Sequence, residues 1–185
     1  MLEKYATIKA MKTVLCNPTK RFSVRELERT SKLSIYSCKY SLDYMYEREL
    51  VKLEKIGRTY QYQANLDNYL TRQWKIIFSL EELDASGVVK NILKTNVSAL
   101  SIILYGSVAI GRDDKNSDID MLIIADTDKK GKKRIAECAH GTKQEINISV
   151  YTPHEWKEKA KKDKIFYESV IIDSIALYGE KPVVF

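Results

Sequence analysis

The sequence predicts an α+β chain of two units, the first made of helices closed by a β-hairpin, the second of strands alternating with helices. Three observations predict it. Ser23-Val24-Arg25-Glu26 is a helix-opening capping box that follows a helix stopped at Asn17-Pro18. Val51 to Lys55 and Thr59 to Gln63 read as strands around the tight turn Ile56-Gly57-Arg58. Leu100 to Tyr105 and Met121 to Ala125 are short apolar runs of strand length, each bounded by turn residues.

The elements follow in order. Leu2, Tyr5, Ile8, Met11 and Leu15 recur at helical spacing, so a first helix is expected to bury that stripe. The second helix starts at Ser23 and runs to the turn Thr30-Ser31-Lys32-Leu33. From Ser34 a third helix is expected to turn Ile35, Cys38, Leu42, Met45 and Leu50 inward and Tyr36, Ser37, Lys39, Tyr40, Ser41 and Tyr44 outward. The hairpin comes next, with basic residues on both arms. Leu66 to about Lys94 reads as one or two helices weakened at Gly87, with Leu70, Trp74, Ile77 and Phe78 on one side, packing onto a sheet or forming a subunit contact.

Composition narrows the function classes. The chain has 185 residues, enough for two small cores, and a net charge of +6. Residues 1 to 66 hold 13 Lys+Arg against 7 Asp+Glu, while residues 67 to 185 hold 18 against 18, so all the excess lies in the first third. A field concentrated there attracts a polyanion. No apolar run approaches the roughly 20 residues needed to span a bilayer. The start, Met1-Leu2-Glu3-Lys4, lacks the apolar segment of a signal peptide, and a cytoplasmic location with no membrane partner is expected. Cys16, Cys38 and Cys138 stand singly, with neither a disulfide framework nor zinc spacing. His140 and His154 have no partner at ligand spacing, so zinc and Ser-His-Asp chemistry have no support.

From Leu50-Val51-Lys52-Leu53-Glu54-Lys55 through Gly57-Arg58-Thr59-Tyr60 to Tyr62-Gln63-Ala64-Asn65, with the helices before it, the first third resembles winged helix-turn-helix DNA-binding domains. The resemblance implies double-stranded DNA as a partner, contacted by Ser37, Lys39, Tyr40, Ser41 and Tyr44 of the third helix and by Lys55 and Arg58 of the wing. Hydroxyl, lysine and tyrosine side chains suit phosphate and base-edge contacts, although tyrosines also favour protein interfaces.

In the second unit a strand, Ser101 to Tyr105, enters the turn Gly106-Ser107. Ten residues later comes Asp118-Ile119-Asp120 at the head of another strand, Ser117 to Ile124. Such a turn lets the backbone approach a phosphate closely, and the Ser107 hydroxyl with the following N-H groups can hold a triphosphate. Two carboxylates two apart on a strand point to one face, where they can share divalent ions. Arg112 is a candidate for neutralising phosphate charge. Gly-Ser, ten residues, Asp-x-Asp resembles the motif of minimal nucleotidyltransferases of the DNA polymerase beta-like superfamily, in prokaryotic, particularly archaeal, proteins that fuse the two modules. The resemblance implies an α/β domain on a mixed sheet, with residues 1–66, 67–96 and 97–185 as DNA-binding domain, helical connector and transferase domain. It also implies an NTP as substrate and Mg2+ (or Mn2+) held by Asp118 and Asp120.

Active members of that family supply a third carboxylate from a later strand, here Glu145 to Tyr151. The alignment puts Asn147 at that position, and an amide is no base at neutral pH. Glu145 is the alternative, displaced by over about 6 Å. Three functions therefore stand as expectations: transfer of a nucleoside monophosphate to a hydroxyl, with a protein among the candidate acceptors; a DNA-binding regulator whose transferase domain only senses nucleotide; or an antitoxin acting on a helical partner. A homodimer is a further candidate assembly. The runs Asp113-Asp114 and Lys129 to Arg134 are expected to be solvated, with nucleic acid as a second use of the basic run. Thr152-Pro153-His154-Glu155 opens another helix, Ile165 to Ile172 continues helically, and Ile175 to Gly179 resembles the terminal Leu-Tyr-Gly turn common among such proteins.

Overall fold

The computed structural model describes residues 5–95, 97–139 and 145–184. His140 and Leu2 lie outside the described residues. The chain divides into two compact units, Met1–Phe78 with Gly111–Asn116, and Ser79–Ile110 with Ser117–Phe185.

The first unit opens with α1 (Ala6–Leu15), α2 (Val24–Ser31) and α3 (Ile35–Glu47), followed by the antiparallel pair β1 (Val51–Ile56) and β2 (Thr59–Ala64). In α1 the buried set is Ala10, Met11, Val14 and Leu15. Tyr5, expected inward, is 70% exposed. The capping box forms as read: the Glu26 amide donates to Ser23 Oγ at 3.2 Å and the Ser23 amide to Glu26 Oε2 at 2.7 Å. Ser34 caps α3 by accepting from the Ser37 amide. Phe22 adds a one-residue bridge to Tyr62, with backbone bonds of 2.8 and 2.9 Å in the two directions. Phe22, Leu27, Cys38, Leu42, Met45, Tyr62 and Phe78 close this core, and each large apolar side chain contributes about 1.5–3 kcal/mol on burial.

Two expectations for α3 need correction. Ser41 is fully buried, donating to the Ser37 carbonyl at 2.7 Å and to Thr7 Oγ1 at 3.4 Å, while Ile35 is 50% exposed. The core-facing line is Cys38, Ser41, Leu42, Met45, because a hydroxyl that bonds the preceding turn satisfies itself and can sit inside.

The helix α4 (Tyr69–Ser86) also faces differently from its apolar pattern. Leu70 and Ile77 are exposed, and Thr71, Lys75 and Phe78 are buried. Lys75 donates to the Asp113 carbonyl at 2.8 Å and to Asp113 Oδ2 at 3.0 Å. Asp113, read as solvated, is thus buried within the first unit. The boundary between units falls inside α4, within the stretch read as a connector, because Trp74 and Phe78 pack on the first core and Leu80 and Leu83 on the second.

The second unit contains α5 (Val88–Leu93), β3 (Ser98–Tyr105), α6 (Gly106–Ala109), β4 (Ile119–Asp126), α7 (Lys129–Glu137), β5 (Ile146–Tyr151), α8 (Pro153–Lys162), α9 (Lys164–Ile172) and β6 (Ile175–Gly179). The sheet is mixed, in the order β5-β4-β3-β6, with β4 and β5 parallel and the other pairs antiparallel. The segment read as a terminal turn is the edge strand β6, paired with β3. One sheet face packs Ile102, Leu104, Met121 and Ile123 with Val88, Ile92 and Ile135; the other packs Ile103, Leu122 and Ile124 with Trp156 and Val170. Among the described residues no helix is long and apolar enough to cross a membrane.

Candidate nucleotide site

The site lies where β3 ends and β4 and β5 begin. Alternation along β4 sends Ile119 and Met121 into one core and leaves Asp120 on the opposite face with Leu122. Register then decides its neighbours: Asp120 is opposite Tyr105 on β3 and opposite Asn147 on β5. The Asn147 amide nitrogen donates to Asp118 Oδ2 at 3.2 Å and to Asp120 Oδ1 at 3.4 Å. Three residues read separately from the sequence are thereby one cluster. Two anions side by side repel, and a shared amide donor is what relieves that repulsion here.

Gly106 is pressed against the same cluster. Its φ is +79°, and a Cβ there would sit 2.7 Å from Asp120 Oδ2. Only glycine permits both the left-handed backbone and the close approach. Ser107 follows in α6, half-buried. Tyr105, just before the turn, has its hydroxyl held above the ordinary phenol range by burial, with a hydrogen bond to Ser149 acting the other way. Its ring meets Phe166 edge-on, with centroids 5.5 Å apart. The aromatic character of this wall was not read from the sequence.

Other candidates lie elsewhere. Glu145 is exposed just before β5, two residues from Asn147; its backbone carbonyl accepts from the Ile119 amide at 2.9 Å. Arg112 belongs to the first unit, exposed, lining a cleft with Lys52, Asp67 and Asp114. Of the residues proposed for DNA, Tyr40, Lys55 and Arg58 are exposed and Ser37 and Tyr44 half-buried. Lys39 is exposed but paired with Asp43. Arg48 lies over the Tyr44 ring at 4.3 Å, and Lys55 over Tyr60 at 5.9 Å.

Among the described residues no group of three or more His, Cys, Asp and Glu side chains comes together in a way that could hold a metal ion. Two carboxylates and an amide do not make an all-protein metal cage. They do fit Mg2+ or Mn2+, which binds through one or two carboxylates with the substrate's phosphates completing the shell.

No curated relative matches the chain. A solved structure described as a toxin-antitoxin with AMP-PNP is 20% identical, covering 52% of this chain and 74% of that one, with a TM-score of 0.37. Two mutants of the toxin-antitoxin MntA-HpeT are 16% and 17% identical, covering 54% and 50% of this chain and 74% and 71% of theirs, with TM-scores of 0.37 and 0.34. The stretch that builds the cluster, residues 87–172, matches the family model of the nucleotidyltransferase domain.

Proposed function

We propose that this protein binds an NTP with a divalent metal at Gly106, Ser107, Asp118 and Asp120 and transfers its nucleoside monophosphate to a hydroxyl. The observation that carries this reading is the junction of the Gly106 turn, both aspartates and Asn147 at one end of the sheet. Asp118 and Asp120 would hold the metal, which neutralises triphosphate charge when bound. In the reaction the hydroxyl oxygen bonds the α-phosphorus, the bond to the bridging oxygen breaks, and pyrophosphate leaves. Asn147 cannot take the hydroxyl proton, which passes to water or to the departing phosphate. Transfer through a loose transition state depends more on positioning and charge neutralisation than on an early base, so the amide does not by itself exclude turnover.

The test is incubation with labelled NTPs, Mg2+ or Mn2+ and cell lysate, beside calorimetric binding. Labelled product with wild type, lost in Asp118→Ala and Asp120→Ala, is the expected result. If both variants bind metal and NTP like wild type, the reading fails. Asn147 favours a second reading, a regulator that senses nucleotide without turnover; saturable binding with no product selects it.

The first unit is read as a winged helix on duplex DNA, with β1 and β2 as the wing. The +6 charge of residues 1 to 66, the exposed Tyr36 and Tyr40 of α3, and Arg58 at the hairpin tip support this. Tyr40, Lys55 and Arg58 remain the proposed contacts, together with Lys39 once Asp43 releases it. Binding should weaken steeply with salt as counterions are released. Undiminished duplex retention by Lys55→Gln/Arg58→Gln at every salt concentration removes the wing assignment.

A further inference from the structure

The two aspartates of the site are held by different means. Asp120 lies inside β4, in register with Tyr105 on one side and Asn147 on the other. Asp118 precedes the strand, which begins at Ile119, and is exposed. Its carboxylate is met by the Asn147 amide at 3.2 Å. One hydrogen bond at an exposed position holds a side chain weakly in water, so where Asp118 stands depends on the chain segment that delivers it.

From Ile110 to Asp118 that segment carries turns but no helix or strand, and its middle, Gly111–Asn116, is part of the first unit. There it has anchors. Gly111, at a φ of +68°, lies so close to α4 that a Cβ would meet the Arg72 carbonyl oxygen at 2.4 Å. About one helical turn further along α4, the fully buried Lys75 donates to the Asp113 carbonyl at 2.8 Å and to Asp113 Oδ2 at 3.0 Å. The first of these bonds fixes the backbone of the segment and not merely a side chain. Beyond it, the Asn116 amide donates to Asp114 Oδ1 at 2.8 Å, a local turn that takes up slack in the exposed stretch. Asp113 stands six residues after Ser107 and five before Asp118, so the tether from this clasp to each half of the site is short.

A buried ion pair adds little stability, because desolvation of both charges offsets their attraction, and here Asp113 Oδ1 is left without a hydrogen-bond partner among the described residues. Two apolar side chains would serve a plain core as well. What a buried pair can add is one defined geometry. We propose that Lys75 is a positioning residue for the nucleotide site: by clasping Asp113 it fixes the segment that delivers Asp118 to Asp120 and Asn147. This rests on the reading of Gly106, Ser107, Asp118 and Asp120 as a nucleotide site and names what holds that site in order. A segment ordered in advance has less conformational entropy to lose when metal and nucleotide bridge the turn and the aspartates.

Two variants of the full chain test this. Lys75→Met/Asp113→Leu replaces the clasp by apolar side chains. The other keeps the clasp and lengthens its tether, with two glycines inserted between Lys115 and Asn116, both exposed, where a longer loop is tolerated. The first readout needs no nucleotide: in metal-free buffer the Asn147 side-chain amide, followed by NMR, should move toward the position of a solvated amide and exchange its protons faster in both variants. The second is calorimetric affinity for Mn2+ with ATP, which should fall about tenfold in both, roughly what releasing the backbone of one residue costs. Thermal melting of the insertion variant should stay near wild type. A merely structural Lys75 predicts wild-type values of both readouts in that variant, and such values for either one overturn the proposal. So does an unchanged Asn147 amide in a folded double variant; if the double variant does not fold, the insertion decides alone. If wild type binds no nucleotide, the nucleotide reading fails separately, since the Asn147 amide is read without it.

Discussion

Asn147 is the amide that bridges the aspartate pair. Its amide holds Asp118 and Asp120 without metal, so Asn147→Asp should cost about 1–3 kcal/mol in metal-free buffer, replacing a shared donor by a third like charge. Mg2+ or Mn2+ should restore the loss and raise the melting temperature more than in wild type. A variant as stable as wild type in chelator, and indifferent to metal, would show that the amide does not govern the pair. Gly106→Ala tests the other side of the cluster: its Cβ would press on Asp120 Oδ2 from a left-handed backbone. It should lose about 1–2 kcal/mol and most nucleotide affinity together, measured by thermal melting and calorimetry. The strand read as starting at Ser117 begins at Ile119, so Asp118 lies just before it and meets Asp120 through the Asn147 amide; those bonds were not legible in the sequence, since they depend on β5 lying beside β4 in one particular register.

At the scale of elements, the helix ends follow their local sequence closely. Thr152 and Glu155 cap α8 reciprocally, as Ser23 and Glu26 cap α2. The hydrogen bond from Lys132, followed by that from the Thr152 amide, lowers the Glu155 carboxyl from an ordinary 4.5 to about 2. A depressed carboxyl stabilises the fold above its unfolded value, and that contribution is lost as pH falls from about 4.5 toward 2. Glu155→Gln should therefore be less stable than wild type at neutral pH, with the difference shrinking across that window. Urea midpoints at stepwise pH check this; a constant difference down to the acid limit would contradict the assigned cause. Side-chain exposure at this surface keeps the effect modest. The sequence signal for such caps is short-range, whereas Ser41 and Ile35 show how weakly an apolar stripe decides which side of a helix faces in. A serine that bonds the preceding turn can replace an isoleucine in the core.

For the molecule as a whole, two units share one chain that returns to the first at Gly111–Asn116, between Ser107 and Asp118. Within the first unit this segment is held by Gly111, whose Cβ would meet the Arg72 carbonyl oxygen at 2.4 Å, and by the buried Lys75 and Asp113 pair. Asp113 Oδ1 is buried without a partner among the described residues, so the pair is costly and its halves depend on each other. Lys75→Met should destabilise by about 3–5 kcal/mol by leaving a buried carboxylate uncompensated, and Lys75→Met/Asp113→Leu should regain most of it. Each unit has one tryptophan, Trp74 or Trp156, so urea unfolding followed by Trp74 fluorescence in a Trp156→Phe background reads the first unit. A double variant as unstable as Lys75→Met would mean that the pair does more than neutralise itself.

By itself the sequence determined the capped helix starts, the hairpin turn, the Gly106-Ser107 turn and the side of β4 on which Asp120 lies. These follow from torsional preferences, hydrogen bonds spanning three or four residues, and strand parity. Tertiary structure alone decided the Phe22 bridge to Tyr62, the edge strand β6, the burial of Ser41 and the Lys75 pairing with Asp113. It also brought Asn147 to the aspartates. Each depends on a partner distant in sequence or on which side of an element meets a core. A lysine reads as surface until the fold brings a carboxylate to it, and an asparagine reads as neutral until strand register sets it between two aspartates.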